Sequence, residues 1–256
     1  MASKLFDLSG RVALVTGGNG GIGLGMAQGM ADAGATIMVA GRNAEKNAAA
    51  VKTLQASGAQ AASVEVDVTD PDSCAAMVAA TQKQFGRVDC LVNNAGTSIR
   101  KQPQDYDLAE WHTVMNTNLT SAMVCSQAVY PLMKAQGGGK IVMIGSMMSI
   151  FGASYAAPYS SSKGAIVQLG KSLACSWALD NIQVNTVLPG WIDTELTQRA
   201  REQVDGLHQR VLDRSPTGRW GKPDDHAGIA VFLASPASDF VTGTAIPVDG
   251  GFSIMV

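Results

Sequence analysis

Charge is scarce in this chain, and so is aromatic surface. Of 256 residues only 16% are Asp, Glu, Lys or Arg and 5% are Phe, Trp or Tyr, with a formal net charge of −2. No basic stretch with interleaved aromatics occurs, which argues against a nucleic-acid partner. No apolar run reaches the length of about 18 residues that spans a membrane. The opening MASKLFDLSG lacks the apolar core of a signal peptide. Cys74, Cys90, Cys125 and Cys175 show no C-x-x-C spacing and no histidine close by, so reduced core cysteines of a cytoplasmic protein are expected. His112, His208 and His226 form no ligand pattern, and no metal site is expected. No Pro/Ser-rich linker or low-complexity block divides the chain, so residues 1–256 read as one domain.

What is plentiful is apolar residues, at 46%, and glycine, at 28 positions. That composition suits a large core and extensive interfacial surface, as in an oligomer.

The chain is organised around Ser146 to Lys163. Tyr159 and Lys163 are four apart at the start of an apolar-periodic helix, so both side chains share one face. Ser146 follows IVMI, a short apolar run that reads as a buried strand. A hydroxyl, a phenol and an ammonium can therefore meet. A phenol has a pKa of roughly 10. A nearby lysine cation favours the phenolate and lowers that value, so the group can move a proton near working pH. A Tyr-x-x-x-Lys pair is equally compatible with an ordinary helix surface.

The first strand, Arg11–Thr16, leads into Gly17-Gly-Asn-Gly-Gly-Ile-Gly23 and then a helix pattern through Met26 and Met30. Strand, glycine loop and helix form the context of a dinucleotide fingerprint: the backbone approaches a pyrophosphate at a helix N-terminus. The second strand, Gly34–Ala40, ends in Gly41-Arg42-Asn43, with no carboxylate until Glu45. An acidic residue there would hold the ribose 2′-hydroxyl of NAD; an arginine accommodates the 2′-phosphate of NADP. NADP is therefore the expected cofactor, with NAD the alternative, and a solvated helix-start role for Arg42 stays open.

Ser63–Val68 reads as a third strand with the alternation of an edge, ending near Asp67, which could meet an adenine or begin a turn. Val88–Val92 is the fourth, running into Asn93-Asn94-Ala95-Gly96. Asp107–Met133 reads as one long helix with Asn118 inside it. Gly139–Ile144, Ile182–Val187 and Gly243–Val248 complete seven strands, separated by helices from Tyr159 to Leu179 and from Asp224 to Leu233. Residues 195–215 read as a polar helical insertion, a lid. Strict alternation predicts an α/β fold, a Rossmann-type doubly wound parallel sheet of about seven strands with helices on both faces.

Taken together, Thr16-Gly17-x-x-x-Gly21-x-Gly23, Asn93-Asn94-Ala95-Gly96, Ser146, Tyr159-x-x-x-Lys163 and Pro189-Gly190 resemble the short-chain dehydrogenase/reductase family over essentially the whole chain. The resemblance implies hydride transfer between a nicotinamide cofactor and a carbonyl or secondary alcohol. Tyr159 would be the acid/base, Lys163 its tuner and ribose anchor, Ser146 the carbonyl partner, and Asn118 the support of a water. Gly17, Asn19, Gly21, Ile22 and Gly23 would line the pyrophosphate and ribose. Asp67 and Val68 would meet the adenine, and Asn94, Ala95 and Gly96 the cleft. Pro189, Gly190, Ile192 and Thr194 would position the nicotinamide.

With the stretch Val211-Leu-Asp-Arg-Ser-Pro-Thr-Gly-Arg-Trp-Gly221, the last third is similar to sugar-acid dehydrogenases of the gluconate 5-dehydrogenase and 2-deoxygluconate 3-dehydrogenase type, and it also resembles 3-oxoacyl-carrier-protein reductases. The segment Met147, Met148, Ile150, Phe151, Tyr155 and Trp191 is apolar and aromatic, which suits a less polar ketone; a sugar acid wants more polar partners. The expectation is an NADP-preferring ketone/secondary-alcohol oxidoreductase with Ser146, Met148, Tyr155 and Trp191 in its substrate pocket. The alternatives are an NAD-dependent sugar-acid dehydrogenase, a 3-oxoacyl-thioester reductase, or a catalytically silent cofactor sensor. The family resemblance also implies a homotetramer, with Phe252–Val256 buried at an interface.

Overall fold

A computed structural model of the protein describes residues 4–255. Seven strands, β1 (Val12–Thr16), β2 (Thr36–Gly41), β3 (Ala61–Glu65), β4 (Cys90–Asn93), β5 (Gly139–Ile144), β6 (Ile182–Pro189) and β7 (Ala245–Val248), form one sheet in the order β3-β2-β1-β4-β5-β6-β7. Every neighbouring pair is parallel. The central strands are buried along their length, which is why they read as continuous apolar runs. Only β3, at the edge, alternates buried and open positions.

Among the described residues there are nine α-helices, α1 (Gly21–Asp32), α2 (Ala44–Ala56), α3 (Pro71–Phe85), α4 (Leu108–Met115), α5 (Ser121–Ala135), α6 (Ala157–Trp177), α7 (Glu195–Gln203), α8 (Leu207–Arg214) and α9 (Ala227–Ala234), and all but α7 and α8 lie along the sheet's two faces. Successive strand residues point to opposite faces. Ala13 and Val15 accordingly join Met26 and Met30 of α1 and Leu233 of α9, while Leu14 joins Met77 of α3, Val129 of α5 and Ile166 of α6.

Four expectations change. The third strand starts two residues and ends three residues earlier than expected, so Asp67 lies beyond β3, where its carboxylate accepts from Thr69 N (2.9 Å) and Thr69 Oγ1 (2.7 Å). That turn ends the ladder. The single helix over Asp107–Met133 is interrupted by a π-helical turn, Asn116–Thr120, between α4 and α5. Its cause is Asn118, 1% exposed, whose amide accepts from Thr97 N (2.8 Å) and donates to Thr97 O (3.0 Å) and Ser162 Oγ (3.0 Å). Three bonds to two other segments outweigh one regular turn. Helix α6 begins at Ala157, before Tyr159, because Pro158 suits a first turn. Cys74, Cys90 and Cys125 are buried as expected, but Cys175 is exposed on α6. Among the described residues no helix is long and apolar enough to cross a membrane.

Candidate active site

The cleft opens where the sheet order reverses, at the carboxyl ends of β1 and β4, the position at which open α/β sheets take ligands. Thr16 pins that point. Its hydroxyl donates to Val92 O (3.2 Å) and accepts from Asn94 N (3.0 Å) and Ala95 N (3.1 Å). The Asn94 amide donates to Thr16 O and Gly17 O, each at 3.0 Å. Gly17 has φ +62°, and a Cβ there would come 2.9 Å from Asn94 Nδ2. Left-handed backbone and close approach both require glycine.

A cavity of about 530 Å³ follows this seam, within the size range of small-molecule sites. The residues suit a dinucleotide. Helix α1 has Gly20 as its N-cap, with no side chain capping it and no acidic residue in its first turn. Its leading N–H groups and positive dipole end are therefore left for a pyrophosphate. Gly17, Asn19, Gly21, Ile22, Arg42, Asn43, Asp67, Val68, Asn94, Ala95, Gly96, Tyr159, Lys163, Pro189, Gly190, Ile192 and Thr194 all line it. Thr194 stands across from the glycine loop, with its Cγ2 3.2 Å from where a Gly21 side chain would begin.

Gly23 is the exception among the expected cofactor residues. It is buried, and a Cβ there would strike Asn94 Nδ2 and Gly17 O. It makes room for the loop from behind and does not face the cavity.

At the adenosine end, Arg42 is exposed beside the cavity and Asn43 caps α2 by accepting from Lys46 N (2.8 Å). Gly41 is small for a packing reason that the sequence did not disclose. A side chain there would begin 2.5 Å from Asn19 Nδ2, which donates to buried Asn47 (2.7 Å), which in turn donates to Gly41 O (2.8 Å).

Ser146, Tyr159 and Lys163 meet at the inner end. Lys163, 4% exposed, donates to Ile144 O (2.7 Å) and lies 5.7 Å from the centre of the Tyr159 ring. Burial lowers the Lys163 pKa to about 8. Burial raises that of Tyr159, opposed by the Ser146 hydroxyl and then by the charge of Arg100. Arg100 is thus a further cation acting on the phenol, one that the sequence did not mark, and Lys163 also lies close to the ring. Ser146 ends β5 in extended backbone and accepts from Met148 N (3.1 Å). The Asn118 side chain is held by Thr97 and Ser162.

A second cavity, about 70 Å³, adjoins Ser146 and Tyr159. Met148, Tyr155 and Trp191 line it; Ile150 and Phe151 do not, Ile150 being exposed and Phe151 packing edge-on to Phe252. Arg100 lines it too, donating to Gln203 Oε1 (3.1 Å) and Leu196 O (3.3 Å). No sequence pattern marked Arg100, which sits in an irregular loop. Two lining residues, Leu196 and Thr197, come from α7. Residues 195–215 prove to be the pair α7 and α8, closed on their own small core of Ala200, Leu207, Val211 and Trp220.

Comparison with known proteins agrees with this geometry. Residues 17–253 match a family model described as enoyl-(acyl carrier protein) reductase, adh_short_C2. The chain is 42% identical to a 2-dehydro-3-deoxy-D-gluconate 5-dehydrogenase of Dickeya dadantii (strain 3937), covering 98% of this chain and 99% of that one. It is 40% identical to a gluconate 5-dehydrogenase of Gluconobacter oxydans (strain 621H), covering 98% and 97%. Its fold superposes with a TM-score of 0.94 on a gluconate 5-dehydrogenase from Burkholderia cenocepacia J2315 in complex with NADP and tartrate, at 39% identity and 99% coverage of both chains.

Proposed function

The chain belongs to the short-chain dehydrogenase/reductase family, a dehydrogenase/reductase of CH–OH and carbonyl groups, and within it we propose an NADP-preferring enzyme that uses Tyr159 as acid and base. The observation that carries the reading is the convergence of Ser146, Tyr159 and Lys163 between the dinucleotide-sized cavity and the smaller pocket. The nicotinamide, when bound, supplies or accepts the hydride. The chain's own residues handle the oxygen and its proton. Ser146 Oγ orients the substrate oxygen, Tyr159 Oη gives it a proton in reduction and removes one in oxidation, and Lys163 holds the neighbouring ribose. Asn118 ties the Thr97 loop to α6 and so keeps these groups in register. Arg42, with Gly41 in place of a carboxylate, supports NADP over NAD, and the bound NADP of the Burkholderia enzyme is consistent with it.

For the substrate we propose an anionic keto or hydroxy acid. Arg100 carries this choice. Two of its five N–H donors are engaged within the chain, which leaves donors for a carboxylate in a pocket otherwise walled by Met148, Tyr155 and Trp191. The names of the gluconate-type relatives point the same way. The apolar walls favour the second reading, an uncharged ketone.

A steady-state panel of keto sugar acids, uncharged ketones, β-ketoesters and a 3-oxoacyl thioester with NADPH and NADH separates these. Keto sugar acids with NADPH are expected to lead. Uncharged ketones leading would overturn the Arg100 reading, and NADH leading the Arg42 reading. Tyr159→Phe is expected to lower kcat by at least about 100-fold while NADPH still binds. Undiminished turnover removes the tyrosine from the chemistry, and tight cofactor binding without any turnover across the panel identifies a sensor. We propose further that the protein works as one catalytic domain with α7 and α8 as its lid, in a homotetramer. Leu179 and Phe240 are fully exposed and Ile254 is 82% exposed, open to burial by a second copy. Phe252 is not open in this way, being packed against Phe151 and Trp191 of its own chain, and Val256 lies outside the described residues. Light scattering gives the mass.

A further inference from the structure

The adenosine end of the cleft is crossed by an ion pair to which the reading above gives no role. Lys46 Nζ donates to both carboxylate oxygens of Glu195, at 2.7 and 2.9 Å. Lys46 lies in the first turn of α2 and Glu195 opens α7, 149 residues later. The two therefore join the nucleotide-binding side of the cleft to the element over the substrate pocket. Both line the larger cavity, together with Arg42, Asn43 and Arg199. The Glu195 carboxyl is held below its ordinary range by the Lys46 hydrogen bond, then by the Lys46 charge, and in part by Arg199. Three cations thus border this end of the cavity, and the carboxylate sits among them.

Both partners are more than half exposed, and pairs of that kind contribute little to stability. The position of this pair is what matters. A carboxylate held by cations at the ribose end of a dinucleotide cleft stands where a second anion would have to compete for the same donors. We propose that Lys46 is a second cation for the 2′-phosphate of NADP, beside Arg42, and that Glu195 is an internal competitor for it. The inference rests on the NADP reading of the cleft. NAD carries a neutral hydroxyl at that position and has no charge with which to draw Lys46 from the carboxylate. Lys46 therefore raises the preference for NADP and Glu195 moderates it. The exchange also releases the first residue of α7, whose next two residues, Leu196 and Thr197, line both cavities.

The test is direct binding of NADPH and of NADH, by nucleotide fluorescence at low ionic strength, to the wild type and to Glu195→Gln, Lys46→Gln, the double variant and Arg42→Leu. Glu195→Gln is expected to tighten NADPH about three- to fivefold and to leave NADH within about twofold, the range an exposed ion pair supports. Lys46→Gln is expected to weaken NADPH by a similar factor with NADH nearly unchanged. In the double variant the gain from Glu195→Gln disappears, and added salt shrinks every difference. An equal shift for both cofactors in Glu195→Gln, or NADPH binding unaffected by Lys46→Gln, overturns the proposal. If Arg42→Leu loses NADPH while the Lys46 and Glu195 variants behave as wild type, this inference falls and the NADP reading stands. If the wild type shows no preference for NADPH, both fall together.

Discussion

At the scale of single residues, burial acts on Tyr159 and Lys163 in the same chemical sense. It raises the phenol and lowers the ammonium to about 8, so both neutral forms are favoured in the free protein. Ser146 and Arg100 pull the phenol back. In the direction of alcohol oxidation, which needs the phenolate, kcat/KM is expected to rise through the alkaline range. Arg100→Met removes a charge that lowers the tyrosine, so the rise moves to higher pH, and KM for anionic substrates increases about tenfold or more with the loss of a charged hydrogen-bond donor. Profiles of kcat/KM against pH for the two proteins check both parts, and coincident profiles would remove Arg100 from the site. The glycine loop and the Tyr159–Lys163 pair were legible in the sequence because local geometry places them: a tight turn before a helix, and a spacing of four along one. Arg100 was not, because it lies in a loop and acquires its role only when α7 and the Tyr159 helix close around it. Lys46 and Glu195 were invisible because they lie 149 residues apart and meet only when α7 folds over the cleft.

Among elements, the strands and their order of appearance could be read from apolar runs, and the edge position of β3 from its alternation. The break between α4 and α5 could not. A periodic pattern counts residues per turn, whereas the extra residue at Asn116–Thr120 is imposed by the bonds of one amide to Thr97 and Ser162. Asn118→Ala leaves the partly buried backbone groups of Thr97, and the buried Ser162 hydroxyl, without that partner. A loss of about 2–4 kcal/mol follows from unmet buried hydrogen bonds, equivalent to roughly 5–15 °C in Tm for a chain of this size. NADPH affinity is expected to fall as well, since Gly96 and Thr97 line the cleft. Thermal unfolding with and without NADPH measures both effects. An unchanged Tm would show that the π-turn stands without the asparagine.

For the molecule as a whole, His226 couples folding to pH. It is fully buried where the turn leading into α9 packs against α1, and burial lowers its pKa, against smaller opposing effects from the Lys222 backbone and Asp225. The native state therefore keeps the ring neutral, while the unfolded chain protonates near the ordinary value of about 6.5. Stability from this group is complete above that pH and is lost as pH falls through the window below it, by at most about 1.4 kcal/mol per pH unit. The Asp225 carboxyl, lowered to about 2, stays ionised across that window. Denaturant melts between pH 7 and 5 are expected to show a decline in wild type that is shallower in His226→Gln; parallel declines would assign it to other groups.

The seam at Thr16 has one more consequence, and it concerns how the chain folds. Its bonds to Val92, Asn94 and Ala95 span 76, 78 and 79 residues of sequence, and the cleft is completed by residues beyond 189. Contacts so distant along the chain close late and slowly. A nascent chain short of β6 lacks part of the cavity wall, so the full nucleotide site exists only with the finished sheet. Nucleotide that binds only this state then deepens the native basin by mass action. Bound nucleotide is therefore expected to make the finished chain more resistant to unfolding.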